Sequence, residues 1–119
     1  MLLNPAYQLT RYELQCIANA IIYINQEYRN HISPEKLAME VGIGIKKLQA
    51  GLKRETGMTL HDYLLKVRVE NSKPILLNTN LPLKNIARST GFKTKSHFCR
   101  IFKKITGITA NVFRSQNEG

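Results

Sequence analysis

Acids almost vanish from the second half of this chain. Residues 71–119 hold nine Lys/Arg and a single acid, Glu118, whereas residues 1–70 hold nine Lys/Arg against seven acids. The whole chain carries a formal net charge of +10 over 119 residues. Solubility alone does not require one half to be stripped of acids, so the block points to a polyanionic partner, nucleic acid or a membrane surface. Cysteine is scarce too. Cys16 and Cys99 have no second ligand beside them at metal spacing, so no metal is expected and both read as reduced thiols. No apolar run approaches spanning length, and MLLNPAYQ is too short and too polar for a secretory leader, which makes a cytoplasmic location the expectation and a membrane partner a poor one. Nor is there a nucleophile–base pair or a phosphate-cradling loop. Neither catalysis nor a cofactor is expected.

What the chain does have is an internal repeat. GIGIKKLQAGLKRETGMT, from Gly42, and GFKTKSHFCRIFKKITGIT, from Gly91, both open on Gly and an apolar residue and close on T-G-apolar-T. Ala38 and Gly42 precede Ala87 and Gly91 by 49 residues. Beyond the glycines the offset becomes 50, pairing Leu48 with Phe98, Leu52 with Phe102, Lys53 with Lys103, Thr56-Gly57 with Thr106-Gly107 and Tyr63 with Phe113. One extra residue just after the second Gly, with both flanks in register, is what duplicated structural units produce.

Each copy reads as a short apolar-periodic helix, a glycine suited to a left-handed turn, and a longer helix. The spacing from Ala38 to Gly42 to Leu48 is that of a helix-turn-helix. Punctuation agrees. Ser33-Pro34-Glu35 reads as an N-cap, a first-turn proline and an acid; Thr59-Leu60-His61-Asp62 reads as a capping box; Thr109 caps a short last helix. Upstream, Leu14, Ile17, Ala18, Ile21 and Ile22 suggest one apolar face of a helix over about Thr10 to Tyr28. From Leu60 to about Leu77, apolar residues fall on two faces: Leu60, Tyr63, Leu64 and Val67, then Leu65, Val69 and Leu76. Two such faces suit a connector between repeats, and Pro74 should kink or end it.

The second repeat, GFKTKSHFCRIFKKITGITANVFR, closely resembles the signature G-F-x-x-x-S-x-F-x-R-x-F-K-x-x-x-G-x-T-P-x-x-[YF]-R of the AraC/XylS family of bacterial transcription regulators. The resemblance covers about Ile21 to Arg114. It implies an all-α fold of about seven helices, with two helix-turn-helix subdomains joined by a linker helix, each placing one helix in the major groove of double-stranded DNA. It also implies a sensing or dimerisation domain elsewhere, possible contact with RNA polymerase, and a division into a tail or inter-domain linker (1–9), a first subdomain with the linker helix (10–73), a second subdomain (74–116) and a tail (117–119).

Helical spacing sets Lys46, Gln49, Ala50 and Lys53 opposite Leu48 and Leu52, and Lys95, Ser96, Cys99, Arg100 and Lys103 opposite Phe98 and Phe102. Matched position by position to the family, Lys46, Gln49, Ala50, Lys95, Ser96, Cys99 and Arg100 are base-contact candidates. A guanidinium at Arg100 can pair with guanine and an amide at Gln49 with adenine. Lys47, Lys53, Arg54, His97, Lys103 and Lys104 are candidates for phosphate. Some residues depart from the pattern. Ala50 stands where a long polar residue is usual, Gly51 where a bulky apolar one is (implying lost packing), Gly44 and Pro82 where serine-type caps are, and Ala110 where proline is. These departures suggest a first unit that supplies mainly affinity and a second that supplies discrimination. Two groove helices about 34 Å apart, neutralising some 6–8 phosphates, would give a log–log salt slope of roughly −5 to −7. The alternatives are a non-specific nucleic-acid (RNA) binder, disfavoured because the repeat's aromatics fall at core rather than stacking positions, and a helix-turn-helix fold used for protein interaction, disfavoured by the charge kept on the second helix.

Overall fold

The computed structural model describes residues 8–116. Seven helices form among them, with no strand: α1 (Arg11–Glu27), α2 (Pro34–Val41), α3 (Ile45–Thr56), α4 (Leu60–Asn78), α5 (Leu83–Ser89), α6 (Lys95–Thr106) and α7 (Ala110–Gln116). The all-α expectation holds. The chain divides into two compact units between Leu64 and Leu65, inside α4. Most of the expected 1–9 tail and all of the 117–119 tail lie outside the described residues.

In the first unit, caps start the helices. The Glu13 amide donates to Thr10 Oγ1 (3.0 Å) and the Thr10 amide donates to Glu13 Oε1 (2.9 Å), a reciprocal capping box for α1. Ser33 accepts from the Lys36 amide ahead of Pro34, so α2 begins where the sequence placed it. Gly42 then turns the chain at φ 77°, a conformation that costs a residue with a β-carbon and not a glycine. The buried face of α1 is formed by Cys16, Ile17, Ala20 and Ile24, against Leu37 and Ala38 of α2 and Leu48, Gly51 and Leu52 of α3 within one unit. This corrects the sequence reading. Leu14 and Ile22 are 37% and 53% exposed, and Ala18 is exposed with them. The small residues Cys16 and Ala20 take the inner positions because neighbouring helices come close there.

Gly51 is part of that closeness, and its expected loss of packing is not found. A β-carbon there would stand 2.5 Å from Ile17 Cγ1 and closer still to Cδ1. Ile17 already fills the space that a side chain at 51 would have occupied.

The second unit repeats the layout with a different core. Leu65, Val69 and Leu76 of α4, the second of the two predicted apolar faces, pack with Ile86, Phe92, Phe98 and Phe102. The rings run in sequence, Phe92 to Phe98 at 5.3 Å, Phe98 to Phe102 at 5.8 Å and Phe102 to Phe113 at 5.5 Å between centroids, in the tilted arrangements aromatic quadrupoles favour. The helix does not end at Pro74, one of the two outcomes expected of that residue. α4 continues four residues beyond it to Asn78. One backbone donor is lost, but Pro74 itself is exposed, and Leu76 on the far side is 1% exposed in the core. Burial of Leu76 works against the proline's helix penalty.

Candidate nucleic-acid interface

Duplication is visible down to single hydrogen bonds. In the first unit, Thr56 Oγ1 donates to Leu52 O (2.6 Å) and accepts from the Met58 amide (3.1 Å). In the second, Thr106 Oγ1 donates to Phe102 O (2.8 Å) and accepts from the Ile108 amide (3.3 Å). Left-handed Gly57 (φ 76°) and Gly107 (φ 86°) end α3 and α6 between those partners. Thr59 and Thr109 then each accept from the amide three residues on, at 3.1 Å, and start the next helix. Before the long helices, the Ile43 amide reaches Ala38 O (3.1 Å) and the Phe92 amide reaches Ala87 O (2.9 Å). The extra residue of the second copy lies in the turn: Gly44 directly follows Ile43 as the N-cap of α3, while Lys93 separates Phe92 from Thr94, the N-cap of α6. Gly44 and Pro82 make no side-chain cap hydrogen bond, as expected of those departures, whereas Thr94 accepts from the His97 amide (3.1 Å).

Thus α3 and α6 are equivalent helices, each held by one face. Leu48 and Leu52 in one and Phe98 and Phe102 in the other are fully buried. Away from that face, Lys46, Gln49, Lys53 and Arg54 on α3, and Lys95, Ser96, Arg100, Lys103 and Lys104 on α6, are exposed. Three of the candidates depart from this pattern. Ala50 is half-buried. Cys99 is half-buried too and packs against the second core, so its thiol is not a free outward group. His97 is half-buried with its ring edge-on to Phe92 at 5.4 Å. Lys47 is exposed but engaged: its ammonium lies 2.5 Å from Glu13 Oε2.

The two helices differ in net field. α6 contains four cations and no acid; α3 contains four cations and Glu55. On α3, Lys47 pairs with Glu13, and Arg54 lies 3.9 Å from Glu55. The Lys47 ammonium, then the Thr10 amide, hold the Glu13 carboxyl below its ordinary value, so it is ionised at neutral pH.

Sequence reading missed two side chains that tie down the backbone of the units carrying these helices. The Tyr12 hydroxyl donates to Gly42 O (3.0 Å) in the first turn, and the neighbouring Cys16 raises its pKa, keeping it a donor. In the second unit, Arg114 donates from Nε to Leu76 O (3.1 Å) and from Nη2 to Leu81 O (2.8 Å), closing the end of α4. The signature's final arginine is therefore a structural clamp. Its conspicuous place in the motif was the only signal available in the sequence.

Comparison with known proteins bears on what such a pair of helices belongs to. A family profile described as a helix-turn-helix domain matches residues 37–116, which include both repeats. This chain belongs to the AraC/XylS family of DNA-binding transcription regulators. Over 98 residues it is 31% identical to an uncharacterised helix-turn-helix transcriptional regulator of Pseudoalteromonas carrageenovora, covering 82% of this chain and 58% of that protein. It is 30% identical over 98 residues to the lactose operon transcription activator of Staphylococcus xylosus, covering 82% of this chain and 35% of that one. Among solved structures, the C-terminal domain of AraT, a response regulator from Geobacillus stearothermophilus, superposes with a TM-score of 0.78 at 28% identity, over 85% of this chain and 84% of that one. The chain spans between about a third and three fifths of those two curated relatives. No helix among the described residues is long and apolar enough to cross a membrane.

Proposed function

We propose that the chain is the DNA-reading part of a transcription regulator: α3 and α6 enter the major groove of duplex DNA and read sequence there. The observation that carries this reading is the equivalence of α3 and α6, each anchored by a buried face and presenting a polar, cationic one. A helix of that kind fits the major groove, where its early residues meet base edges and its later ones phosphates. On α6, Lys95, Ser96 and Arg100 are the base-reading set, with Lys103 and Lys104 on the backbone. On α3 the set is Lys46 and Gln49, with Lys53 and Arg54 on the backbone and Ala50 contributing at most an apolar contact.

The second unit carries the greater share of both affinity and discrimination. Two of the four cations on α3 lie beside acids, whereas α6 contains no acid, so the mainly affinity-giving role expected of the first unit is a reduced one. The chain acts without catalysis, in the cytoplasm, as one part of a regulator whose other domain senses or dimerises, and RNA polymerase is a natural partner for the whole.

Fluorescence anisotropy of the purified chain with labelled duplex, against single-stranded DNA and RNA of the same sequence, tests this. Preference for duplex, with a log–log salt slope of roughly −5 to −7, supports groove binding. Equal or tighter binding of the single strands overturns it.

A further inference from the structure

The strongest feature the groove reading leaves unexplained is an acid set against a cation of a groove helix. Glu13 belongs to the first turn of α1, yet its side chain, 12% exposed, lies on the third residue of α3. Its two oxygens do different things. Oε1 accepts from the Thr10 amide at 2.9 Å. Oε2 takes the Lys47 ammonium at 2.5 Å. The capping box fixes the carboxylate from one side, so Lys47 is drawn to Glu13, rather than a mobile glutamate following the lysine. The same position in the second unit is His97, whose ring turns onto Phe92. In both groove helices the third residue is thus engaged within its own unit.

We propose that Glu13 is a positioning residue that holds Lys47 off the DNA phosphates, so that the first unit binds below its full charge. This rests on the groove-binding reading of α3. A phosphate approaching Lys47 competes with a carboxylate that is already hydrogen-bonded to the Thr10 amide, and it meets that carboxylate's own negative charge. Both effects act within a Debye length, about 10 Å at 0.1 M salt. Glu13 therefore trims non-specific backbone affinity, the part of binding that carries no sequence information.

The test is a cycle of Glu13→Gln and Lys47→Met, read as the salt dependence of duplex binding by the full chain. Glutamine suits the third position of a capping box, so Glu13→Gln removes the charge and keeps the cap; circular dichroism checks that helix content is retained. Glu13→Gln is expected to steepen the salt slope by about 0.9, one added phosphate, which makes binding about eightfold tighter at 0.1 M salt relative to 1 M. In the Lys47→Met background the same substitution should leave the slope where Lys47→Met alone puts it. An unchanged or shallower slope on Glu13→Gln, or a steepening that persists without Lys47, overturns the proposal. Should the unaltered chain bind no duplex at any salt, the groove reading itself fails; duplex binding indifferent to Glu13 removes only the positioning role.

Discussion

Ile17 lies against Gly51 so tightly that a β-carbon on residue 51 would stand 2.5 Å from Ile17 Cγ1. Glycine inside a helix normally costs about 1 kcal/mol relative to alanine, and Gly51→Ala would recover that. Here the gain is outweighed. Ile17 is β-branched, stiff and 1% exposed, so it cannot swing aside, and overpacking a core costs about 1–3 kcal/mol. Gly51→Ala should lower stability by up to about 2 kcal/mol in urea denaturation. A gain in stability would show that α1 and α3 separate easily, and would undo this account of the first unit.

The paired threonines give a matched prediction. Thr106→Val removes a hydroxyl that joins Phe102 O to the Ile108 amide, and Thr56→Val removes its counterpart between Leu52 O and the Met58 amide. Each substitution breaks two hydrogen bonds and should cost about 1–3 kcal/mol. If the units are true structural repeats, the two penalties should be alike. A negligible loss at one position, measured by the same denaturation, would mean that the shared motif is not doing the same job twice.

Acid should weaken the first unit through Glu13. Its pKa is depressed in the folded chain, so its contribution is complete above the ordinary glutamate value, about 4.3, and is lost as pH falls through the lower folded value. Glu13→Gln should therefore flatten the acid limb of the stability curve below about pH 4.3 and leave the curve near neutral pH unchanged in shape. An acid limb unaltered by the substitution would assign the loss to other carboxylates.

Arg100 and Gln49 separate the roles of the two groove helices. Arg100→Ala should cost about 1–3 kcal/mol at a specific site and relax base preference there, as expected for a guanidinium on guanine. Gln49→Ala should have the smaller effect on specificity. The reverse order in competition binding would place the main reading helix in the first unit.

How much of this could be read from the sequence depends on the range of each interaction. The repeat, its glycine turns and the caps at Ser33, Thr59 and Thr109 are local patterns, set by backbone geometry a few residues wide, and they were legible. Glu13–Lys47 and Ile17–Gly51 each join residues 34 apart on different helices, and no periodicity links them. Hydrophobic size points to Leu14 and Ile22 for the inner face of α1, whereas close packing selects Cys16 and Ala20. The local penalty of Pro74 allows α4 to end there; Leu76, buried just beyond it, favours continuation to Asn78. Among site residues, exposure agrees for Lys46, Gln49, Arg100 and the late lysines. Cys99 and His97 differ because each meets the second core, Cys99 by packing against it and His97 by its edge-on contact with Phe92.

The most direct test of the central claim is selection of this chain on a randomised duplex DNA pool at moderate salt. Enrichment of a defined motif is predicted, with its strongest positions lost on Arg100→Ala. Retention of the pool only at low salt, with no motif emerging, would contradict sequence reading and reduce the chain to a binder of the phosphate backbone.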